Sequence, residues 1–175
     1  MKKMNRSVRS LCLAAMIAAL YLALTLLFQP ISFGAVQFRI SEAMTLLPAI
    51  FPEATIGLTL GCFLSNFLAG ANVYDVVFGT LATLLACLLT YKLRDIRVKG
   101  LAIPASLPPV AFNMIIVGAF EITFFFSDGA PTAMLAVFNA VTVGIGELIS
   151  CTILGVALVK LIESNAGLNK IFTEE

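Results

Sequence analysis

The sequence has no histidine and no tryptophan, and only 12% of its 175 residues are charged. Without histidine, the chain lacks the commonest metal ligand and the side chain that most readily titrates near neutral pH. The cysteines lie singly inside apolar segments and form no C-x-x-C pair, so we interpret them as packing residues. They are Cys12, Cys62, Cys87 and Cys151. We therefore expect no metal site and no disulfide.

Apolar residues are what the chain has in excess. Hydrophobic residues make up 60% of it and the mean hydropathy is +1.02, whereas a soluble domain is about 45–50% apolar and about 25% charged. The sequence therefore predicts an all-α integral membrane protein. Its length accommodates about six spans of ~20 residues with short connections. We expect one membrane domain over residues 1–175, with little room for a catalytic domain outside the lipid.

Prolines and turn residues divide the apolar sequence into six predicted transmembrane helices. These cover residues 8–29, 41–51, 54–69, 74–91, 101–125 and 132–163. The second segment is short for a full span, so we expect it to be tilted or sheltered by its neighbours. With the N-terminus inside and six crossings, Arg39 is the one cation among eleven that falls outside. Such an asymmetry predicts an orientation with both termini in the cytoplasm (N-in/C-in).

Several polar residues interrupt the predicted helices. Ionisable groups inside a span are costly and usually face a bundle interior or a cavity, so they indicate a functional site. Spacings of three, four and eight residues put several of them on shared helix faces. The predicted substrate-binding residues are Arg39, Glu42, Asn66, Asn113, Phe120, Glu121, Asn139 and Glu147.

Purely structural roles are open for several of these residues. Arg39 and Glu42 could form an interfacial ion pair that serves the fold alone, and Asn66 could be an interhelical hydrogen-bonding residue. Glu121 could lie near the outer surface in water, and Asp75 could simply cap the fourth helix. Glu147 is the hardest to assign to the fold, because glycines and apolar residues flank it well inside the sixth helix.

The first helix carries two overlapping pairs of small residues four positions apart, Ala14/Ala18 and Ala15/Ala19. That spacing puts small side chains on one face and lets another helix approach closely.

The stretch Val36–Pro48, which reads VQFRISEAMTLLP, resembles the QueT family of substrate-binding S components of energy-coupling factor (ECF) transporters. The basic N-terminus, the alanine-rich first helix and the six short helices are similar to S components in general. The resemblance to QueT continues through further segments, which are Gly61–Asn66, Asn72–Asp75, Val77–Thr80 and Leu81–Thr83.

The resemblance implies a binding subunit and not an enzyme, with an S-component-like bundle in a prokaryotic plasma membrane. It would capture a queuosine precursor of the 7-deazaguanine (queuine) type at the outer face, under a loop joining the first two helices. Its partners would be the lipid bilayer, a transmembrane coupling subunit and two ATPases. ATP would be used by those ATPases, since this chain has no G-x-x-x-x-G-K-[ST] loop. We expect no cofactor for this chain itself. Ala14/Ala18 or Ala15/Ala19 would contact the coupling subunit, and nothing points to nucleic acid.

A 7-deazaguanine presents a ring N–H and an exocyclic amine as donors beside a carbonyl acceptor, and a carboxylate can accept both donors. We expect Glu147 or Glu121 to bind that donor edge and Asn113 and Asn139 to complete recognition. Arg39 and Glu42 would organise the lid or contact the ligand at the mouth of the site, and a second carboxylate could bind an alkylamine of the ligand.

Three alternatives are open. The chain could be an S component for another vitamin or small nutrient, which a ligand panel would distinguish. It could be a stand-alone secondary transporter, although clear inverted repeats are not apparent. A small membrane enzyme such as a lipid transferase is disfavoured, because the carboxylates are scattered and no acidic metal motif is present.

Overall fold

The computed structural model describes residues 6–32, 38–127 and 130–173, and these are almost entirely helical. Part of the quoted Val36–Pro48 stretch and of the loop joining the first two helices therefore lies outside the described residues. The helices are α1 (Arg6–Leu27), α2 (Gln29–Ser32), α3 (Ile40–Ala49), α4 (Ala54–Leu68), α5 (Asp75–Lys92), α6 (Ile103–Phe126), α7 (Ala133–Ser164) and α8 (Ala166–Thr173). The predicted all-α architecture is confirmed.

Four helices are long and apolar enough to cross a membrane. They are α1, α5, α6 and α7, and the mean hydropathy of their apolar segments lies between 1.4 and 2.3. The 15 residues of α4 extend about 22 Å at the α-helical rise, less than the ~30 Å hydrocarbon core. Six crossings and the N-in/C-in orientation therefore stay predictions.

The helix α3 is a buried central element and not a lipid-facing span. It is a ten-residue 3₁₀ helix in which every residue from Ser41 to Ala49 is buried. Pro48 lies inside it, and a proline ring clashes with the carbonyl four residues earlier in an α-helix, which disfavours the regular α-helix expected from the sequence. Burial on all sides explains how so short a segment stays within an apolar bundle.

The small residues of α1 and α4 bring these two helices into close contact. A Cβ added to Gly57 would overlap the carbonyl oxygen of Ala14, and one added to Gly61 would lie 3.0 Å from that of Ala18. Ala14 and Ala18 are each 5% exposed, so this pair is used inside the protein. The second pair, Ala15/Ala19, is exposed on the outside of α1.

One end of the bundle is closed by contacts between distant parts of the chain. Arg9 donates hydrogen bonds to the carbonyls of Lys170 and Ile171 in α8, at 2.9 and 2.8 Å. The Phe172 ring packs edge-on against Phe51, with centroids 5.9 Å apart. The start of α1, the end of α3 and α8 therefore meet at this end. Arg39 and Glu42 lie at the opposite end of α3.

Candidate substrate-binding site

Arg39 is the extended residue immediately before α3, and only 6% of it is exposed. Its Nε donates to the carbonyl of Ser32 at 3.3 Å, and its charge is close enough to attract the carboxylates of both Glu42 and Glu147. The sequence suggested a place at the outer rim of the site. The structure instead puts Arg39 inside the bundle, where buried carboxylates offset the cost of removing its charge from water.

Glu42 is also buried, at 1% exposure, and its carboxylate is half satisfied. Oε1 accepts a short hydrogen bond from the Tyr21 hydroxyl of α1. Oε2 has no hydrogen-bond partner among the residues described. The neighbouring residue, Ser41, helps to fix the position of Glu42. Its Oγ lies 2.7 Å from Thr25 Oγ1, and this hydrogen bond ties α3 to α1.

Glu147 of α7 faces Glu42 across the bundle. Its Oε2 accepts a hydrogen bond from Cys151 Sγ at 3.1 Å, and the same thiol lies 3.4 Å from the Glu42 carbonyl. The close approach of α3 and α7 makes this possible: a Cβ on Gly155 would lie 2.9 Å from the carbonyl of Ala43. The carboxylates of Glu42 and Glu147 therefore meet in the centre of the protein.

Asn113 of α6 completes this cluster. It is 6% exposed, and its side chain lies beside the Glu147 carboxylate. The amide is within reach of that carboxylate, but its Nδ2 makes no hydrogen bond of good geometry within the described part of the chain. We name Arg39, Glu42, Asn113 and Glu147 the central cluster; all four were predicted from the sequence as site residues.

Tyr21 and Cys151 contact the central cluster but were not predicted as site residues. Each of them has a feature in the sequence by which it could have been found. A tyrosine inside an apolar helix needs a partner for its hydroxyl when buried, and Cys151 follows Glu147 by four residues and so shares its helix face.

Three residues around the central cluster could hold a metal ion. One potential metal-ligand atom from each of Glu42, Glu147 and Cys151 lies within 4.8 Å of the other two. Arg39 already supplies positive charge there, and the absence of a metal stays a prediction.

A second polar group involves α5 and α6. Glu121 is fully buried, and neither of its carboxylate oxygens has a hydrogen-bond partner among residues 6–32, 38–127 and 130–173. The neighbour of Glu121 is the carboxyl group of Asp75, within hydrogen-bonding reach. Asn66 of α4 donates from Nδ2 to the Asp75 carbonyl at 3.0 Å. Glu121 is thus not the solvated surface residue that the sequence left open.

The winding of α6 explains why Asn113 and Glu121 share one face. Residues Asn113–Phe126 form a π helix, which has more residues per turn than the 3.6 of an α-helix. Positions four apart therefore stay aligned, and Asn113, Val117 and Glu121 are all buried.

The structure separates two predicted site residues from the central cluster. Asn139 donates from Nδ2 to Thr123 Oγ1 at 3.0 Å, an interhelical bond between α6 and α7. It precedes Glu147 by eight residues, about 12 Å along an α-helix. Phe120 is 42% exposed and packs against Phe78, with ring centroids 5.4 Å apart. Neither residue is seen to contact the four residues of the central cluster.

Comparison with known proteins identifies the family of the chain. The family model described as QueT transporter matches residues 11–164. The chain belongs to the QueT transporter family. The family resemblance seen in the sequence is thereby confirmed. As a QueT family member with several apolar membrane-length helices, the chain is a multi-pass protein of the cell membrane, and its family is one of transporters.

A curated relative is the "Queuosine precursor transporter QueT" of Lactococcus lactis subsp. cremoris (strain MG1363), which is 42% identical over 72 residues. The aligned stretch covers 40% of this chain and 42% of that QueT protein. No solved structure matches the chain at a significant level.

Proposed function

We propose that the protein is the substrate-binding subunit of an ECF-type importer and captures a queuosine precursor of the 7-deazaguanine type. Membership of the QueT transporter family supports the class of protein. The name of the Lactococcus relative supports the class of ligand. ATP hydrolysis would then be carried out by partner subunits.

The central cluster has the hydrogen-bonding groups that a 7-deazaguanine requires. The ring N–H and exocyclic amine of the ligand are donors, and Glu42 Oε2 is a buried acceptor without a partner among the described residues. Glu147 adds a second carboxylate next to it. The ligand carbonyl needs a donor, and Asn113 Nδ2 is a buried donor that lies beside Glu147 but makes no hydrogen bond of good geometry among the described residues. The groups of the protein therefore match the polarity of the ligand edge, with the Glu147 carboxylate next to the one unpaired acceptor and the one unpaired donor.

The single observation that carries this proposal is that these unpaired atoms lie together. A buried polar group left without a hydrogen bond costs about 1–3 kcal/mol, and buried groups in native proteins are otherwise almost always paired. The Glu42 carboxylate and the Asn113 amide both border Glu147, and each carries one atom without a well-formed hydrogen bond among the described residues. A ligand that bonds to both would recover this cost on binding.

Calorimetry of the purified protein with queuine, an aminomethyl-7-deazaguanine and guanine tests the ligand. We expect the 7-deazaguanines to bind and guanine to bind at least about tenfold more weakly, a difference of about 1.4 kcal/mol. Tight binding of an unrelated vitamin, with no heat from any 7-deazaguanine, would show an S component for another nutrient.

Partner assembly requires a separate experiment. The exposed Ala15/Ala19 face is the pair that a coupling subunit can reach, because Ala14 and Ala18 pack on α4. We expect an Ala15→Trp/Ala19→Trp variant to lose copurification with the coupling subunit while still binding ligand. The control is Leu27→Trp, since Leu27 is 72% exposed on the same helix. Transport by the purified chain alone along an ion gradient would instead indicate a secondary transporter.

A further inference from the structure

The pair of carboxyl groups formed by Asp75 and Glu121 has no role in binding the heterocycle as described above. Glu121 is completely buried, and within the described residues neither of its oxygens accepts a hydrogen bond. Its neighbour, Asp75, is another carboxyl group. Two ionised carboxylates at this distance repel each other and offer only acceptors. The pair is therefore incomplete without a cation or a proton between its members.

The charges around the site point the same way. Glu42 and Glu147 form one buried acidic pair, and the buried Glu121 forms a second pair with Asp75, which is partly exposed. Arg39 is the cation whose charge reaches both pairs. Uncompensated charge inside a membrane protein is expensive, so this half of the bundle favours a ligand that brings positive charge.

The two pairs are close enough to bind one ligand. Asn113, beside Glu147, and Glu121 are eight residues apart on the same buried face of α6. Eight residues extend about 12 Å along the axis of an α-helix. A π helix is wound more widely and rises less per residue, so about 12 Å is an upper limit for their separation. Arg39 lies within electrostatic range of both pairs. A bicyclic ring held by the central cluster would direct a short alkyl arm towards Glu121.

Aromatic residues hold the two carboxyl groups in place. Tyr74 and Phe120 directly precede Asp75 and Glu121 in the sequence. The Tyr74 ring stacks on Phe125 of α6 at 4.1 Å between centroids, and Phe78 of α5 packs against Phe120. This packing joins the start of α5 to the second half of α6, and so fixes the distance between the two carboxyl groups.

We propose that Asp75 and Glu121 bind a protonated alkylamine carried by the substrate, so that the protein selects cationic over neutral 7-substituted 7-deazaguanines. The proposal rests on the proposed function, since the central cluster is taken to hold the heterocycle. An ammonium group donates three hydrogen bonds, which suits the adjacent carboxyl groups of Asp75 and of Glu121, the latter without a donor among the described residues. It also supplies the positive charge that four nearby carboxyl groups require.

Two probes of nearly equal size test the proposal at pH 7. One is 7-aminomethyl-7-deazaguanine, which carries an ammonium group, and the other is 7-cyano-7-deazaguanine, which is neutral. We expect calorimetry on the wild-type protein to give an affinity about 10- to 100-fold higher for the amine, the range for hydrogen bonds to a charged group. Equal affinities, or a preference for the nitrile, would overturn the proposal without any variant being made.

Variants then locate the preference. We expect the ratio of the two affinities to fall to about 1 in Asp75→Asn/Glu121→Gln and to fall partly in Glu121→Gln alone. Asp95→Asn is the matched control, since the Asp95 side chain is 86% exposed on a loop, and its ratio should equal that of the wild type. Binding of the nitrile shows that a variant is folded. If Asp75→Asn/Glu121→Gln does not bind the nitrile, the ratio of the two affinities in Glu121→Gln alone tests the proposal.

The outcomes separate this inference from the proposed function. If neither probe binds to the wild-type protein, the proposed ligand class is wrong and the inference falls with it. If both bind and the ratio is insensitive to Glu121→Gln and to the double variant, the ligand class stands and the amine site is wrong. In that case the carboxyl pair holds a proton and not the ligand.

Discussion

The two pairs of carboxyl groups, the buried Glu42–Glu147 pair and the pair of buried Glu121 with partly exposed Asp75, differ in how much of their hydrogen bonding the protein itself supplies. In the Glu42–Glu147 pair, each carboxylate accepts a bond from the protein, from Tyr21 and from the Cys151 thiol. In the second pair, neither oxygen of Glu121 receives one from the residues that the structure describes.

This difference indicates what each pair is suited to bind. A carboxylate held by fixed donors keeps its remaining lone pairs in a set direction, as recognition of a planar heterocycle edge requires. Glu121 has no donor among the described residues, and the repulsion between it and Asp75 is relieved by a cation or a proton. The first pair is thus arranged for shape and hydrogen-bond pattern, and the second for charge.

Removing the cation that the two pairs share should have the largest effect. In Arg39→Gln, the carboxylates would lose their common positive partner, and breaking a buried charge pair typically costs about 3–5 kcal/mol. We expect a strongly lowered free energy of unfolding in detergent, measured by thermal or denaturant melts, together with loss of ligand binding. Arg39→Lys should be intermediate. An Arg39→Gln protein as stable as the wild type would show that the two pairs do not depend on Arg39.

Glu147→Gln should separate the two pairs. Because it removes an acceptor from the heterocycle site, we expect both the amine and the nitrile probe to bind about 100-fold more weakly, equivalent to about 2.7 kcal/mol. Calorimetry with both probes measures this, with Glu53→Gln, at the start of α4, as the matched control. Unchanged affinity for the neutral probe would remove Glu147 from the site.

Asn113 and Asn139 should differ in whether their substitution lowers ligand affinity or stability, with smaller effects than that of Glu147→Gln. Asn113→Leu should weaken binding about tenfold, because the ligand carbonyl loses its donor. Asn139→Leu should leave affinity near the wild-type value and lower stability by about 1 kcal/mol, since its amide bonds to Thr123. Paired titrations and melts of the two variants test this. The opposite pattern would place the binding site on the Asn139 side of α7.

Tyr21→Phe should have the smallest effect of the four. It leaves Glu42 Oε1 without its donor while keeping the aromatic packing, so we expect stability to fall by about 1 kcal/mol and affinity to fall a few fold. The control is Tyr91→Phe, since Tyr91 is exposed near the end of α5. Identical behaviour of the two variants would mean that Tyr21 does not orient Glu42.

Local patterns were sufficient to predict the helical architecture and to select four residues that the structure brings together. Hydropathy and prolines located the apolar helices, because both act through the nearest turns of the chain. The cost of burying Arg39, Glu42 and Glu147 marked them as functional candidates without knowledge of their neighbours. The same reasoning also selected Asn139 and Phe120, since a helix-face argument counts residues per turn and cannot show which helix packs on that face.

The sequence by itself determined that this is a helical membrane protein of the QueT family, because composition, apolar run length and short motifs are properties of contiguous residues. Only the tertiary structure decided the roles of residues whose partners are distant in the chain. It put Ala14 and Ala18 against α4 and left Ala15 and Ala19 outside, and it made α3 a buried 3₁₀ helix. It also joined Glu42 to Glu147, 105 positions later in the chain. Such contacts depend on how helices pack, and no local periodicity encodes that.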